Sequence, residues 1–114
     1  VSADHLPEVF VSVTLTVLYN PPADPATFDK HYDDVHAPLA AKISGLESFT
    51  LVRPGPGPDG SAPQYHLIAT LTFPSQEAMA EAMASPEGRA ATDDLPNFAM
   101  AGATMLVGER TVVV

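Results

Sequence analysis

The chain has 114 residues, 46% hydrophobic and 17% charged, which suits a globular domain with its own core and excludes a disordered chain. Lys and Arg number 5 against 14 Asp and Glu, a net charge of −9, so neither nucleic acid nor an anionic membrane surface is an expected partner, since both need clustered cations. The absence of cysteine excludes a disulfide scaffold, thiolate metal sites and a cysteine nucleophile, and a cytoplasmic setting is the simplest expectation.

Residues 1–8 read as a flexible polar leader, and residues 9–114 as a single α+β domain. No signal peptide and no apolar run near the ~20 residues of a membrane span is expected. Val9 to Tyr19 alternates with period two, which predicts a long first strand. Asp24-Pro25 opens a helix as an N-cap carboxylate followed by proline at the first helical position. Phe28, Tyr32, Val35, Leu39 and Ile43 then fall within about 80° on a helical wheel, one apolar stripe. Pro38 removes a backbone donor and crowds the carbonyl of Asp34. A kink or break near His36–Pro38 is expected, with a short continuation to Ser44 and Gly45 as the C′ glycine.

Leu46 to Arg53 predicts a second strand, Pro54 to Gly60 a turn-rich loop, and Gln64 to Phe73 a third strand. Ser75 is an N-cap for a helix that buries Met79 and Met83. Ser85-Pro86 restarts a helical segment expected to end before Leu95-Pro96, and Ala103 to Glu109 reads as a fourth strand. The order β-α-β-β-α-β predicts a ferredoxin-like four-stranded antiparallel sheet with helices on one face. The other face carries Ser12, Thr14, Thr16, His66, Thr70 and Thr72 beside Phe10, Leu18 and Ile68. It is too polar for a dense core and too apolar for open water. A second copy packed on it, closing a dimeric α/β barrel around a lined cavity, satisfies both.

The run Phe28-Asp29-Lys30-His31-Tyr32-Asp33-Asp34-Val35-His36-Ala37-Pro38-Leu39 resembles the F-x-x-x-[WY]-x-x-x-H-x-P-L signature of the EthD family. Gly45-Leu46, Ser85-Pro86-Glu87-Gly88 and the later Asp93, Asp94, Asn97 and Phe98 fit the same pattern. The resemblance implies a homodimeric α/β barrel with a small-molecule site. Relatives of this barrel type include cofactor-free monooxygenases, isomerases and polyketide cyclases, so it implies a fold more narrowly than a reaction.

His36 is the candidate catalytic residue. It sits at the edge of the apolar stripe beside the Pro38 kink, where a neutral imidazole can act as acid or base near pH 7. The competing reading is a structural histidine bonded to backbone freed by the kink. Tyr32, four residues earlier, either orients His36 or is an aromatic core residue. Tyr19 at the end of the first strand, His66 and Thr16 on the half-polar face, and Phe98 complete the candidate substrate-binding set. Asp93 and Asp94 read as solvated charges at a helix end; since carboxylates there oppose the helix dipole, the competing reading gives one of them a specific partner. His31 and His36 lie about 140° apart on an ideal helix and should diverge, so no metal site is expected. Phosphate-binding and nucleotide-binding motifs are absent from the sequence, and no cofactor is expected. The expected partner is a small, mostly apolar, oxygenated organic molecule, handled by acid–base chemistry or carried without reaction.

Overall fold

The computed structural model describes residues 12–114. The expected leader and the first three residues of the first predicted strand lie outside them. In chain order the elements are β1 (Ser12–Tyr19), α1 (Pro25–His31), a π-helical turn (Tyr32–His36), α2 (Ala37–Ala41), β2 (Ser48–Val52), β3 (Leu67–Phe73), α3 (Gln76–Ala84), α4 (Pro86–Phe98) and β4 (Ala103–Arg110). The four strands form one sheet in the order β2-β3-β1-β4, with every neighbouring pair antiparallel. This is the split β-α-β topology that the element order predicts.

Alternation places Val13, Leu15, Val17 and Tyr19 of β1 on one face, and Leu67, Ala69, Leu71 and Phe73 of β3 beside them in register. All eight are buried under the helices. The opposite face carries Thr14, Thr16, Thr70 and Thr72 as cross-strand neighbours. β4 is exposed along all eight residues and, among the described residues, pairs only with β1.

Asp24 caps α1, its carboxylate accepting from the Thr27 amide at 3.2 Å, with Pro25 in the first turn as expected. The Pro38 irregularity is a π turn and not a break. The Ala37 amide donates to the Tyr32 carbonyl, five residues back. Widening the turn moves backbone away from a proline ring that can neither donate nor tolerate the carbonyl four residues before it. The helix then ends at Ala41, short of Ser44, in tight final bonds from Lys42 to Leu39 and from Ile43 to Ala40. Gly45 does adopt a positive φ of 87°, but beyond the helix cap and not at C′.

The second correction concerns α4. It continues through Leu95-Pro96 to Phe98, with Pro96 inside the helix. Two residues before the helix end, that proline forgoes one backbone hydrogen bond, and burial of Phe98 offsets the loss. Ser85 joins the helices, ending α3 and accepting from the Gly88 amide at 3.1 Å to start α4. At Gly88 a Cβ would stand 2.7 Å from the Met83 Cα, so α3 and α4 approach here on the strength of a missing side chain. Gly88→Ala is expected to lower the unfolding free energy by about 1–3 kcal/mol, seen as a reduced urea midpoint at unchanged m value. Wild-type stability in this variant would contradict so close a contact.

Candidate functional site

The π turn decides where the histidines go. On an α-helix residues five apart diverge, whereas a π turn repeats at i, i+5. His31 and His36 therefore meet one carboxylate. Asp94 accepts from His31 Nε2 at 2.9 Å and 3.0 Å through its two oxygens, and from His36 Nδ1 at 3.0 Å. Asn97 Nδ2 adds a bond of 3.0 Å to Oδ1. The expectation of solvated charges thus fails for Asp94, which is buried; Asp93 is exposed. The signal was present: Ala91, Asp94 and Phe98 stand at i, i+3 and i+7, the buried stripe of α4. It becomes visible only if the helix is carried through Pro96.

Since a carboxylate only accepts, the network assigns His31 a proton on Nε2 and His36 a proton on Nδ1. Burial pushes the basicity of His36 down, and the Asp94 carboxylate opposes this only in part, so its imidazole is below the ordinary histidine range. For Asp94 burial acts upward, but bonds from Asn97, His31 and His36 outweigh it and hold the carboxyl below ordinary aspartate. His36 Nε2 has no hydrogen-bond partner among the described residues, yet none of their buried polar side-chain atoms is left unpaired. The His36 ring lines the adjoining cavity.

That cavity lies between the sheet and the helices. Leu15, Val17, Tyr19, Tyr32 and His36 line it, with Met83 and Met105 among its walls. Its volume is ≈ 40 Å³, space for a few waters at roughly 10–15 Å³ each. Burial raises the Tyr19 and Tyr32 phenols well above the ordinary tyrosine range, so both are neutral donors at physiological pH. Phe98 closes the aromatic cluster, its ring centroid 4.7 Å from His36 and 5.1 Å from His31.

His36, Tyr32, Tyr19 and Phe98 are therefore together. Thr16 and His66 are elsewhere. Thr16 is on the opposite face of the sheet. His66 precedes β3, where strand alternation no longer applies, and it is off the half-polar face. Its Nε2 meets Asp29 of α1 at 2.7 Å and its ring stands edge-on to Phe28. Sequence reasoning missed Asp94, His31 and Asn97. A second, larger cleft of ≈ 370 Å³ lies on the other side of the cluster, lined by Asp24, Thr27, Phe28, His31, Asn97, Phe98 and Met100 among others. Among the described residues no group of three or more His, Cys, Asp or Glu side chains is placed to hold a metal ion. The ring N–H groups of His31 and His36 instead point at Asp94.

The folded state disfavours protonation of both His36 and Asp94, so the unfolded chain binds more protons in acid and stability falls as pH falls. The His36 contribution is complete above about pH 6.5 and is lost as pH drops through its lowered folded value; the Asp94 contribution follows below about pH 4. Unfolding free energies measured by urea from pH 7 to 5 should fall more steeply in wild type than in His36→Gln. Parallel curves would contradict a buried neutral imidazole.

The EthD domain model matches residues 20–102. An uncharacterized 11.0 kDa protein in the thcB-thcC intergenic region of Rhodococcus erythropolis is 40% identical over 99 residues, which is 87% of this chain and 95% of the relative. An ethyl tert-butyl ether D (EthD) family protein from Bacillus halodurans superposes with a TM-score of 0.83 at 34% identity, covering 88% of this chain and 99% of that one. A dimeric ferredoxin-like protein of unknown function from Thermobifida fusca shares the fold with a TM-score of 0.66 at 13% identity, over 88% of this chain and 92% of that one. The ferredoxin-like topology, the two relatives above 30% identity and the domain match agree: this chain belongs to the EthD family.

Proposed function

We propose that this protein is an enzyme of cofactor-free acid–base chemistry on a small, mostly apolar, oxygenated organic molecule, with His36 as the proton acceptor. The observation that carries this reading is the tautomer lock. Asp94 holds Nδ1–H, which leaves the lone pair on Nε2 of a ring that lines the cavity, and burial keeps that ring neutral near pH 7. A base so placed removes a proton from a phenol or from carbon next to a carbonyl, and the imidazolium formed is stabilised by Asp94. Tyr19 donates to the Tyr32 hydroxyl, so the neutral Tyr32 phenol is the one placed to donate to a substrate oxygen as charge develops there. A substrate enters by displacing Met83 and Met105, side chains that adapt readily; Met105 is half exposed at the wall. The reaction type (isomerase, dehydratase, decarboxylase or oxygenase) depends on the substrate. Among solved structures of this fold, SnoaB from Streptomyces nogalater is described as a cofactor-independent oxygenase, with a TM-score of 0.58 at 18% identity.

A second reading, a ligand-binding or carrier protein without turnover, draws support from the outer cleft. At ≈ 370 Å³ it lies in the usual size range of small-molecule sites, while the cavity at His36 is far smaller. His36→Gln separates the two. Against a panel of phenols and β-dicarbonyl compounds, the enzyme reading expects turnover to fall by about 100-fold or more with binding retained. Binding without turnover in wild type as well as variant would favour the carrier.

The proposed assembly is a homodimer in which a second copy covers the threonine-bearing sheet face. Leu106 and Val52, both more than half exposed, extend that face on β4 and β2. The Thermobifida neighbour is described as dimeric. Sedimentation at micromolar concentration should give a dimer, and Leu106→Glu should shift it toward monomer. A wild-type monomer would overturn this assembly. Among the described residues no helix is long and apolar enough to cross a membrane, and a cytoplasmic setting belongs to the same proposal.

A further inference from the structure

Asp94 serves two imidazoles that face different spaces. His36 opens on the inner cavity and its side chain is 7% exposed; His31 borders the outer cleft and is 26% exposed. His31 Nε2 is committed to Asp94, and its Nδ1 has no partner among the described residues. We propose that His31 is a positioning residue for His36, and that the two imidazoles compete through Asp94 for a single proton. This rests on the reading of His36 as a base and adds a control on its strength.

The charges make the competition. With both rings neutral the cluster carries −1. One added proton, on His36 Nε2 or His31 Nδ1, brings it to zero and keeps all the hydrogen bonds to Asp94. A second proton makes it +1 around a buried carboxylate, with no further anion at hydrogen-bond distance among the described residues. Protonation of His31 from the cleft therefore neutralises the charge that His36 needs when it accepts a proton from substrate.

Among the described residues, the surrounding groups leave this balance to the three. From α4 the pair meets Asp94, Asn97 and the Phe98 ring. Tyr19 of β1 and Tyr32 of the π turn are neutral. Arg53 is held by Asp33 at 2.9 Å, and Lys30 by Asp34 at 2.8 Å, both at the surface. Asp24, across the cleft, is bonded to Thr27. An occupant of the outer cleft that hydrogen-bonds His31 Nδ1 thus reaches the chemistry at His36 without touching it.

The test is a titration of the His36 ring nitrogens by long-range ¹⁵N–¹H correlation in the intact protein. In His31→Gln an amide can still donate to Asp94 but no charge can form, and the His36 midpoint should move to higher pH. In His31→Phe, where Asp94 also loses a donor, it should move further. An unchanged midpoint in both variants overturns the proposal. Should the variants not fold, wild type decides: two titration steps common to both imidazole signals support the competition, and an independent single step in each overturns it. The readout needs no substrate. A shifted midpoint in a protein without turnover would leave the coupling standing and remove the catalytic reading; turnover that depends on His36 with an unmoved midpoint would do the reverse.

Discussion

The constraint on which the site depends is a hydrogen bond that Pro38 cannot make. Its ring and missing donor spoil the α-helical register at Asp34, and the chain answers by widening one turn. That wider turn brings residues five apart onto one side. His31 and His36 then face the same carboxylate, which an ideal helix would not allow. A local backbone problem is thereby converted into the arrangement of the chemistry.

The burial of Asp94 would be costly alone, since a desolvated carboxylate without donors is unstable. Donors from His31, His36 and Asn97 offset it, and they also fix which nitrogen of each ring is protonated. The aromatic residues complete the environment. Tyr19, Phe28, Tyr32 and Phe98 pack at centroid distances between 5.2 and 6.1 Å, which excludes water from one side of His36 and keeps it neutral. Removing any of the three donors leaves the carboxylate under-satisfied, so stability and chemistry share these residues.

The fold was legible because its signals are local. Alternation in β1 and β3 separated Val13, Leu15 and Val17 from the threonines, and Asp24-Pro25 and Ser75 marked helix starts by their capping chemistry. His36, Tyr32, Tyr19 and Phe98 were legible as candidates for the same reason. Asp94 was not, because its role depends on a partner 58 residues away and on a helix that runs through Pro96. The meeting of His31 with His36 was hidden by the assumption of α-helical geometry across Pro38. His66 was misplaced because alternation was carried from Gln64, three residues before β3 begins at Leu67.

The central claim is that Asp94 fixes the His36 imidazole as the neutral tautomer with its proton on Nδ1 and a free lone pair on Nε2. It is tested most directly by the ring ¹⁵N shifts of His36 at neutral pH, read in wild type and Asp94→Asn. The expected result is a protonated Nδ1 and an unprotonated Nε2 in wild type, with that preference lost in the variant. A wild-type ring protonated on Nε2, or on both nitrogens, would contradict it.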